Sequence, residues 1–205
     1  MRKIPLYILV LISVACATKK ENVIPNIIII NVDDMGWKDV GFMGSQYYET
    51  PNIDYLSSLG MVFTNGYASA SNCAPSRANL MTGQWASRHG VYTVSPSTRG
   101  KSEDRKIIPI KNTHTLSPEH HILPEVLHEN GYITCHAGKW HLSDNPLEYG
   151  FDVNIAGGHN GLPRSYYPPY KNVKIEKGNS LYLTDLVMEN ALKFVDTVQK
   201  PFYLN

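Results

Sequence analysis

The sequence predicts an α/β fold in which a mostly parallel sheet is flanked by helices. Residues 27–32 have the sequence IIIINV, a nearly continuous β-branched run typical of parallel strands that are buried on both faces. Residues 181–199 place apolar side chains at helical spacing. Strand-like and helix-like segments alternate along the rest of the chain, and this alternation indicates a parallel α/β protein.

Further elements are predicted between these two segments and after them. Thr50 at the N-cap and Pro51 at the first helical position predict a helix that ends before Gly60. The apolar face of this helix consists of Ile53, Leu56 and Leu59. The remaining predicted elements are a strand at 61–63, helices at 75–82 and 122–130, and strands at 132–137 and 201–205. The polar, turn-rich segments 94–119 and 144–179 are predicted to be surface loops near a functional site.

The composition of the 205-residue chain argues against several classes of protein. Hydrophobic residues make up 42% of the sequence, which is enough to form a core and argues against disorder. The chain has 19 Lys and Arg residues against 18 Asp and Glu residues, without a basic block, so no nucleic acid partner is expected. Three cysteines are too few for a disulfide framework, and Cys135 is expected to pack in the core.

The N-terminal residues 1–16 are predicted to be an export signal rather than part of the fold. A basic start precedes an apolar run at 4–15, which is shorter than the ~20 residues that a membrane-spanning helix needs. The run ends at Cys16 in a sequence similar to a bacterial lipobox, with Ser13 in place of the usual leucine. We therefore expect a lipid anchor on Cys16, a tether at 17–23, and a periplasmic or cell-envelope location that includes the cell surface. Simple cleavage without a lipid is the alternative.

Two adjacent acidic residues, Asp33 and Asp34, directly follow the predicted strand at 27–32. Ligand sites in open α/β sheets lie beyond the carboxyl ends of the strands. Neighbouring carboxylates repel each other unless a cation lies between them, and oxygen ligands suit a hard ion such as calcium or magnesium. The alternative is a solvated acidic turn.

The most specific motif lies at 73–83, where the sequence fits the pattern C-x-P-S-R-x-x-x-x-T-G. This pattern is the signature of the sulfatases, and the chain resembles that family over most of residues 26–205. The resemblance implies that a formylglycine-generating enzyme oxidises Cys73 to formylglycine, which hydrates to a geminal diol. It also implies a catalytic role for Arg77 and a bound Ca²⁺ ion, in preference to Mg²⁺. The implied metal ligands are Asp33, Asp34 and the modified Cys73.

Local physical chemistry agrees with an anion site at Cys73. Ser71 or Asn72 can cap a helix that has Pro75 in its first turn, which places residue 73 at the positive end of the helix dipole. Backbone N–H groups at that end favour an anion such as sulfate. Arg77 lies four positions later and returns to the same face, where its guanidinium can hold a sulfate oxygen. The alternative is a buried free cysteine beside a structural arginine.

A third motif, GKWHL at 138–142, resembles another sulfatase element, with Ser143 where glycine is usual. Lys139 and His141 follow a predicted strand and point the same way if the chain there is extended. Both can bind sulfate oxygens as substrate-binding residues, and either is a candidate to protonate the leaving alcohol. Without other motifs, such a pair of residues is usually exposed on the surface and has no catalytic role. The role of the neighbouring His136 stays ambiguous.

The resemblance implies an alkaline phosphatase-like fold and a sulfuric ester hydrolase, which acts on sulfated glycans or aryl sulfates through the nucleophile made from Cys73. The alternatives are a phosphodiesterase or phosphonate hydrolase of the same superfamily, and an inactive, truncated glycan-binding lipoprotein. Sulfatases are longer, and their pattern includes a later Asp-Asn metal pair. The last residues, KPFYLN at 200–205, resemble a family strand that normally continues. We therefore expect residues 24–205 to be the N-terminal part of the catalytic domain, truncated before the C-terminal part.

Overall fold

The computed structural model describes residues 24–175 and 181–205. Its strands are β1 (Ile27–Ile28), β2 (Ile133–Ala137), β3 (Val153–Ile155) and β4 (Phe202–Leu204). Its α-helices are α1 (Pro51–Leu59), α2 (Cys73–Thr82), α3 (Ala86–His89), α4 (Leu123–Glu129) and α5 (Leu183–Thr197). Short 3₁₀-helices lie at Gly41–Met43, Ser102–Asp104 and Pro146–Tyr149.

The four strands form one parallel sheet in the order β1-β4-β2-β3. β1 and β4, which lie near opposite ends of the described chain, pair with Ile27 opposite Tyr203. The predicted α/β class with a parallel sheet and flanking helices is therefore confirmed. Because the strands are parallel, their carboxyl ends meet at one edge, and the segments that follow β1 and β2 are brought together there.

Two apolar clusters form the core on the two faces of the sheet. In β4, the side chain of Tyr203 is completely buried in the first cluster, while that of its neighbour Leu204 packs against the second. This alternation follows from the two-residue repeat of a strand. Cys135 in β2 belongs to the second cluster with 0% exposure, so its predicted place in the core is confirmed. Helix α5 contributes Ala191 to that cluster, as its apolar spacing predicts.

The run at 27–32 was predicted to be buried on both faces, and this prediction is wrong. The strand itself spans two residues, and Ile28 and Ile30 are 52% and 73% exposed. Ile27 and Ile29 pack against the first apolar cluster instead. β1 lies at the end of the strand order, and within residues 24–175 and 181–205 the core covers one of its faces. A uniform run of isoleucines carries no signal that distinguishes the covered face from the exposed one.

Two further expectations differ from the structure. Helix α1 has the predicted bounds, but its predicted apolar face is exposed, with Leu56 at 60% and Leu59 at 66%. Residues 61–63 were predicted to form a strand and are irregular and exposed. The sequence can therefore contain a helical repeat of apolar residues, or a short apolar run, although no surface among the described residues covers these side chains.

Strand β3 was missed because its residues lie inside the segment 144–179, which was predicted to be a loop. Its three residues pair with β2, with Cys135 opposite Val153 and Ala137 opposite Ile155. So short a strand has no local periodic signal, and the pairing with β2 decides its conformation. Helix α2 begins at Cys73, two residues before the predicted start at 75.

In the described part of the chain, no helix combines the length and apolar character needed to cross a membrane. The predicted export signal at 1–16, the lipidation at Cys16 and the tether at 17–23 lie outside the described residues.

Candidate active site

Five of the six side chains predicted to carry chemistry lie around one cavity of about 1050 Å³. Asp33 and Asp34 reach it from the segment after β1, and Lys139 and His141 reach it from the segment after β2. Cys73 reaches it from the first residue of α2. The parallel sheet thus brings together residues that are far apart in sequence, at the edge where its carboxyl ends meet.

The carboxylate of Asp33 connects the two basic residues of the site. Lys139 Nζ donates to Asp33 Oδ2 at 2.6 Å, and Arg77 Nη2 donates to Asp33 Oδ1 at 3.2 Å. Partial burial alone would raise the pKa of Asp33. The hydrogen bonds and positive charges of Lys139 and Arg77 outweigh that effect and hold the pKa below its usual value. Asp33 is therefore ionised at neutral pH.

Cys73 is half-buried at the N-terminus of the ten-residue helix α2. Asn72 is the N-cap residue by position, but its side chain makes no capping hydrogen bond and donates instead to Thr93 Oγ1 at 3.1 Å. The first turn of the helix therefore keeps backbone N–H groups that the Asn72 side chain does not satisfy, near the positive end of the dipole. This is the environment that the sequence predicts for residue 73. The thiols of Cys73 and Cys135 are both free.

Arg77 is buried, with 6% of its surface exposed, and does not itself line the cavity. Its guanidinium donates to the backbone carbonyl of Lys139 through Nη1 and to Asp33 through Nη2. It therefore links helix α2 to the segments after β1 and β2. The prediction of direct sulfate contact by Arg77 stays a prediction, while the structure gives it the role of orienting two residues that do line the cavity.

Lys139 and His141 both line the cavity, although the chain between them is not extended as expected. Gly138 has a φ of +98° and His141 a φ of +66°, so this segment is a turn. The His141 ring is closely packed, since a Cβ on Gly161 would lie 2.6 Å from its Cε1 atom. Burial, followed by the charge of Lys139, lowers the pKa of His141 to about 4. The imidazole is thus neutral at neutral pH.

The carboxylate oxygens at this edge of the sheet are ligands of the type that a hard divalent cation prefers, but they are fewer than such an ion needs. Asp33 and Asp34 offer carboxylate oxygens to the same cavity, and Asp34 adopts a left-handed φ of +56° there. Both oxygens of Asp33 are engaged by Arg77 and Lys139. Calcium takes about six to eight oxygen ligands. Across residues 24–175 and 181–205, no group of three or more His, Cys, Asp or Glu side chains is arranged to hold a metal ion.

The segments between β2 and β3 and between β3 and α5 contribute cavity residues for which the sequence predicted no role. Asp144, His159 and Lys174 line the cavity beside the predicted residues. His159 lies 6.3 Å from His141 between ring centroids. The turn-rich composition of 144–179 pointed to a loop near a site, but a lone histidine or lysine within it carries no signal of its own.

Comparisons with known proteins agree with these motifs. The family model described as Sulfatase matches residues 25–205. The chain is similar to N-acetylgalactosamine-6-sulfatase of Canis lupus familiaris, with 32% identity over 210 residues that cover 88% of this chain and 38% of the relative. It is also similar to arylsulfatase G of Mus musculus, with 38% identity over 146 residues that cover 69% of this chain and 24% of the relative. The chain therefore spans less than two-fifths of the length of these curated relatives.

Solved structures share the fold. Ps i-CgsB in complex with k-i-k-neocarrahexaose aligns with a TM-score of 0.68 and 33% identity, covering 88% of this chain and 44% of that one. BT4656 in complex with its substrate D-glucosamine-2-N, 6-O-disulfate aligns with a TM-score of 0.67 and 29% identity, covering 88% of this chain and 33% of that one.

Proposed function

Because the chain belongs to the sulfatase family, we propose that it carries the nucleophile of a hydrolase that cleaves sulfate esters. The observation that carries this proposal is the convergence of Cys73, Lys139 and His141 on one cavity, beside the carboxylate of Asp33. Hydrolysis of a sulfate ester needs a nucleophile, positive charge for the sulfate oxygens and a proton for the leaving alcohol. Side chains suited to each of these tasks surround the cavity.

The nucleophile is formylglycine made from Cys73. The intact motif at 73–83 supports this assignment, and so does the position of Cys73 at the positive end of α2. One hydroxyl of the hydrated aldehyde attacks sulfur, and the S–O bond to the alcohol breaks. The second hydroxyl then loses its proton to a base and re-forms the aldehyde, so that sulfate leaves without attack by water on sulfur. A serine at position 73 has no second hydroxyl. A formylglycine-generating enzyme is the partner that this modification requires.

The charges around the cavity support a bound cation. Arg77 and Lys139 carry two positive charges, and Asp33 and Asp34 carry two negative charges, so the four cancel. A divalent cation makes the local balance positive, as an anionic substrate requires. Asp33 and Asp34 would hold this ion, calcium in preference to magnesium, beside the modified residue 73. The bound ion would supply charge for the sulfate oxygens and lower the cost of ionising a hydroxyl.

Lys139 and His141 bind the sulfate group and serve the proton transfers. Lys139 carries a positive charge and can donate hydrogen bonds to sulfate oxygens. The low pKa of His141, about 4, leaves its imidazole neutral, so that it can accept a proton or share a hydrogen bond in the site. Arg77 orients Lys139 through its backbone carbonyl and Asp33 through its carboxylate.

The substrate class that we propose is sulfated glycans, with aryl sulfates as simple analogues. The neocarrahexaose bound to Ps i-CgsB and the disulfated glucosamine bound to BT4656 support a carbohydrate substrate. We further propose that the protein is exported to the periplasm or cell envelope and held there by a lipid on Cys16. This part rests on the N-terminal sequence alone.

Two measurements test the proposed function. The chain is produced with and without a formylglycine-generating enzyme, and mass spectrometry is applied to the peptide that contains residue 73. Hydrolysis of an aryl sulfate and an aryl phosphodiester is then compared. We expect conversion of Cys73 to formylglycine and faster cleavage of the sulfate.

The matched variants are Cys73→Ser and Cys135→Ala. Cys73→Ser should give at most one turnover, because it lacks the second hydroxyl, whereas Cys135→Ala changes a core thiol away from the cavity and should retain turnover. An unmodified thiol at position 73, or sustained turnover by Cys73→Ser, contradicts the proposed mechanism. Faster cleavage of the aryl phosphodiester would support the alternative function, a phosphodiesterase or phosphonate hydrolase of the same superfamily.

A further inference from the structure

The turn that carries Lys139 and His141 has a demanding backbone. Both Gly138 and His141 adopt left-handed φ values within four residues. His141 has a Cβ atom, so its conformation costs energy unless the surrounding structure holds it in place. The orientation of the two cavity side chains therefore depends on contacts made to the backbone of the turn.

Hydrogen bonds from other parts of the described chain hold this backbone. They are Gly138 N to Ile155 O (2.8 Å), His141 N to Gly158 O (2.9 Å), Arg77 Nη1 to the Lys139 carbonyl, and His136 Nε2 to the Gly138 carbonyl (3.1 Å). The last of these comes from a side chain that the proposed function does not use. Its acceptor is the carbonyl of the first residue of the turn.

His136 is held so tightly that its donor position is fixed. It lies near the end of β2 with 1% of its surface exposed. The rings of Trp140 and Phe151 each lie 5.3 Å from it between centroids, in edge-on arrangements. A Cβ on Gly157 would lie 2.6 Å from its Cδ2 atom, which shows how closely the backbone approaches the ring.

The two ring nitrogens of His136 have different partners, and these partners define one tautomer. Asn205 Nδ2 lies 3.1 Å from Nδ1 and donates to it, while Nε2 faces the carbonyl of Gly138. This arrangement requires a neutral ring with its proton on Nε2. Burial and the charge of Arg77 lower the pKa of His136 to about 4, against the opposing effect of the hydrogen bond to the Gly138 carbonyl, so the ring stays neutral at neutral pH.

We propose that His136 is a positioning residue, whose Nε2–H fixes the Gly138 carbonyl and thereby the turn that directs Lys139 and His141 into the cavity. The proposal rests on the proposed function, because it assigns to these two side chains the binding of sulfate. Asn205, at the carboxyl end of β4, contributes by holding the tautomer.

The test compares two variants of His136 in the full chain. His136→Phe keeps a ring of similar shape but removes the donor, whereas the amide nitrogen of His136→Gln can take the place of Nε2–H. Affinity for inorganic sulfate is measured by titration calorimetry at 25 °C, and folding is verified by circular dichroism. We expect His136→Phe to bind sulfate about tenfold more weakly, the size of effect expected for the loss of one buried hydrogen bond. His136→Gln should restore the affinity.

A matched control separates positioning from general destabilisation. Thr134 lies two residues earlier in β2, is completely buried, and donates through Oγ1 to the Gly150 carbonyl at 2.7 Å. Thr134→Val removes the hydrogen bonds of this buried hydroxyl with Gly150 and Asp152 without touching the turn at Gly138. We expect a lower free energy of unfolding and unchanged sulfate affinity. Nitrogen NMR of the wild-type imidazole should show the proton on Nε2.

Each result has a defined meaning. The positioning role is overturned if folded His136→Phe binds sulfate as the wild type does, or if Thr134→Val loses the same affinity. If His136→Phe does not fold, His136→Asn replaces it, since its shorter amide cannot reach the Gly138 carbonyl and should also weaken binding. A wild-type chain that binds no sulfate contradicts the proposed function itself, and the positioning role with it. In contrast, measurable and equal sulfate binding by the wild type and His136→Phe overturns the positioning role alone.

Discussion

Replacement of Arg77 by methionine removes the charged group that links three segments of the site. The methionine side chain has a similar length and is apolar, so it fills most of the space without the guanidinium. The change removes the hydrogen bond to Asp33 Oδ1 and the one to the Lys139 carbonyl. Lys139 stays bonded to Asp33 Oδ2 at 2.6 Å, so the carboxylate is not left without a cationic partner.

The expected loss in the free energy of unfolding is about 2–4 kcal/mol. Hydrogen bonds that involve a charged group contribute about 1.5–3 kcal/mol each. Two such bonds would contribute about 3–6 kcal/mol, and the expected loss is smaller, because about one-third of the Asp33 side chain is exposed and solvent screens its charge. The control is Arg88→Met on the exposed side of the short helix α3, which should change the free energy of unfolding by less than about 0.5 kcal/mol.

The assay is urea unfolding of the wild type, Arg77→Met, Asp33→Asn and the double variant. We expect a coupling energy between Arg77 and Asp33 of about 1–2 kcal/mol at pH 7. The folded-state pKa of Asp33 lies below 3.8, so the stabilisation by its charge is present above the unfolded pKa and is lost as pH falls through the folded pKa. The coupling should therefore be the same at pH 7 and pH 5 and decrease below pH 3.8. Additive effects at pH 7, or a coupling that grows on acidification, would refute this reasoning.

Three further predictions follow from packing and burial. Gly161→Ala places a Cβ 2.6 Å from Cε1 of His141 and should weaken sulfate binding measured by calorimetry. The control Gly158→Ala makes only an ordinary contact at 3.7 Å and should leave sulfate binding unchanged. Equal effects of the two variants would contradict the role of the His141 ring position. Tyr203→Phe removes a buried hydroxyl that has no hydrogen-bond partner among the described residues, so the free energy of unfolding in urea should fall by less than about 1 kcal/mol or rise, and a larger loss would reveal a partner. Burial raises the pKa of Cys135 to about 12, so iodoacetamide at pH 8 should leave this thiol unmodified in the native chain and modify it in urea. Peptide mass spectrometry measures the modification, and rapid labelling of the native chain would contradict the burial of Cys135.

The sequence by itself determined the fold class and pointed to five residues that line the cavity, Asp33, Asp34, Cys73, Lys139 and His141. The alternation of strand-like and helix-like segments is a local pattern, and it correctly indicated a parallel α/β sheet. The motif at 73–83 specifies residue types at fixed spacing, and Asp33 directly follows the β-branched run at 27–32. These signals come from short stretches of chain whose chemistry and position relative to a strand or helix do not depend on distant contacts.

The tertiary structure decided what each residue touches. The pairing of β1 with β4 leaves Ile28 and Ile30 exposed, because coverage of a face depends on which elements pack there and not on the run itself. Strand β3 exists because β2 offers backbone groups for pairing. Direct contact of Arg77 with a sulfate stays a prediction, and the structure shows that its guanidinium donates to Asp33 and to the Lys139 carbonyl, because the packed chain places these two acceptors beside it. The sequence names several residues that line the cavity, but only the packed chain assigns them their partners, because these contacts join segments that are far apart in sequence.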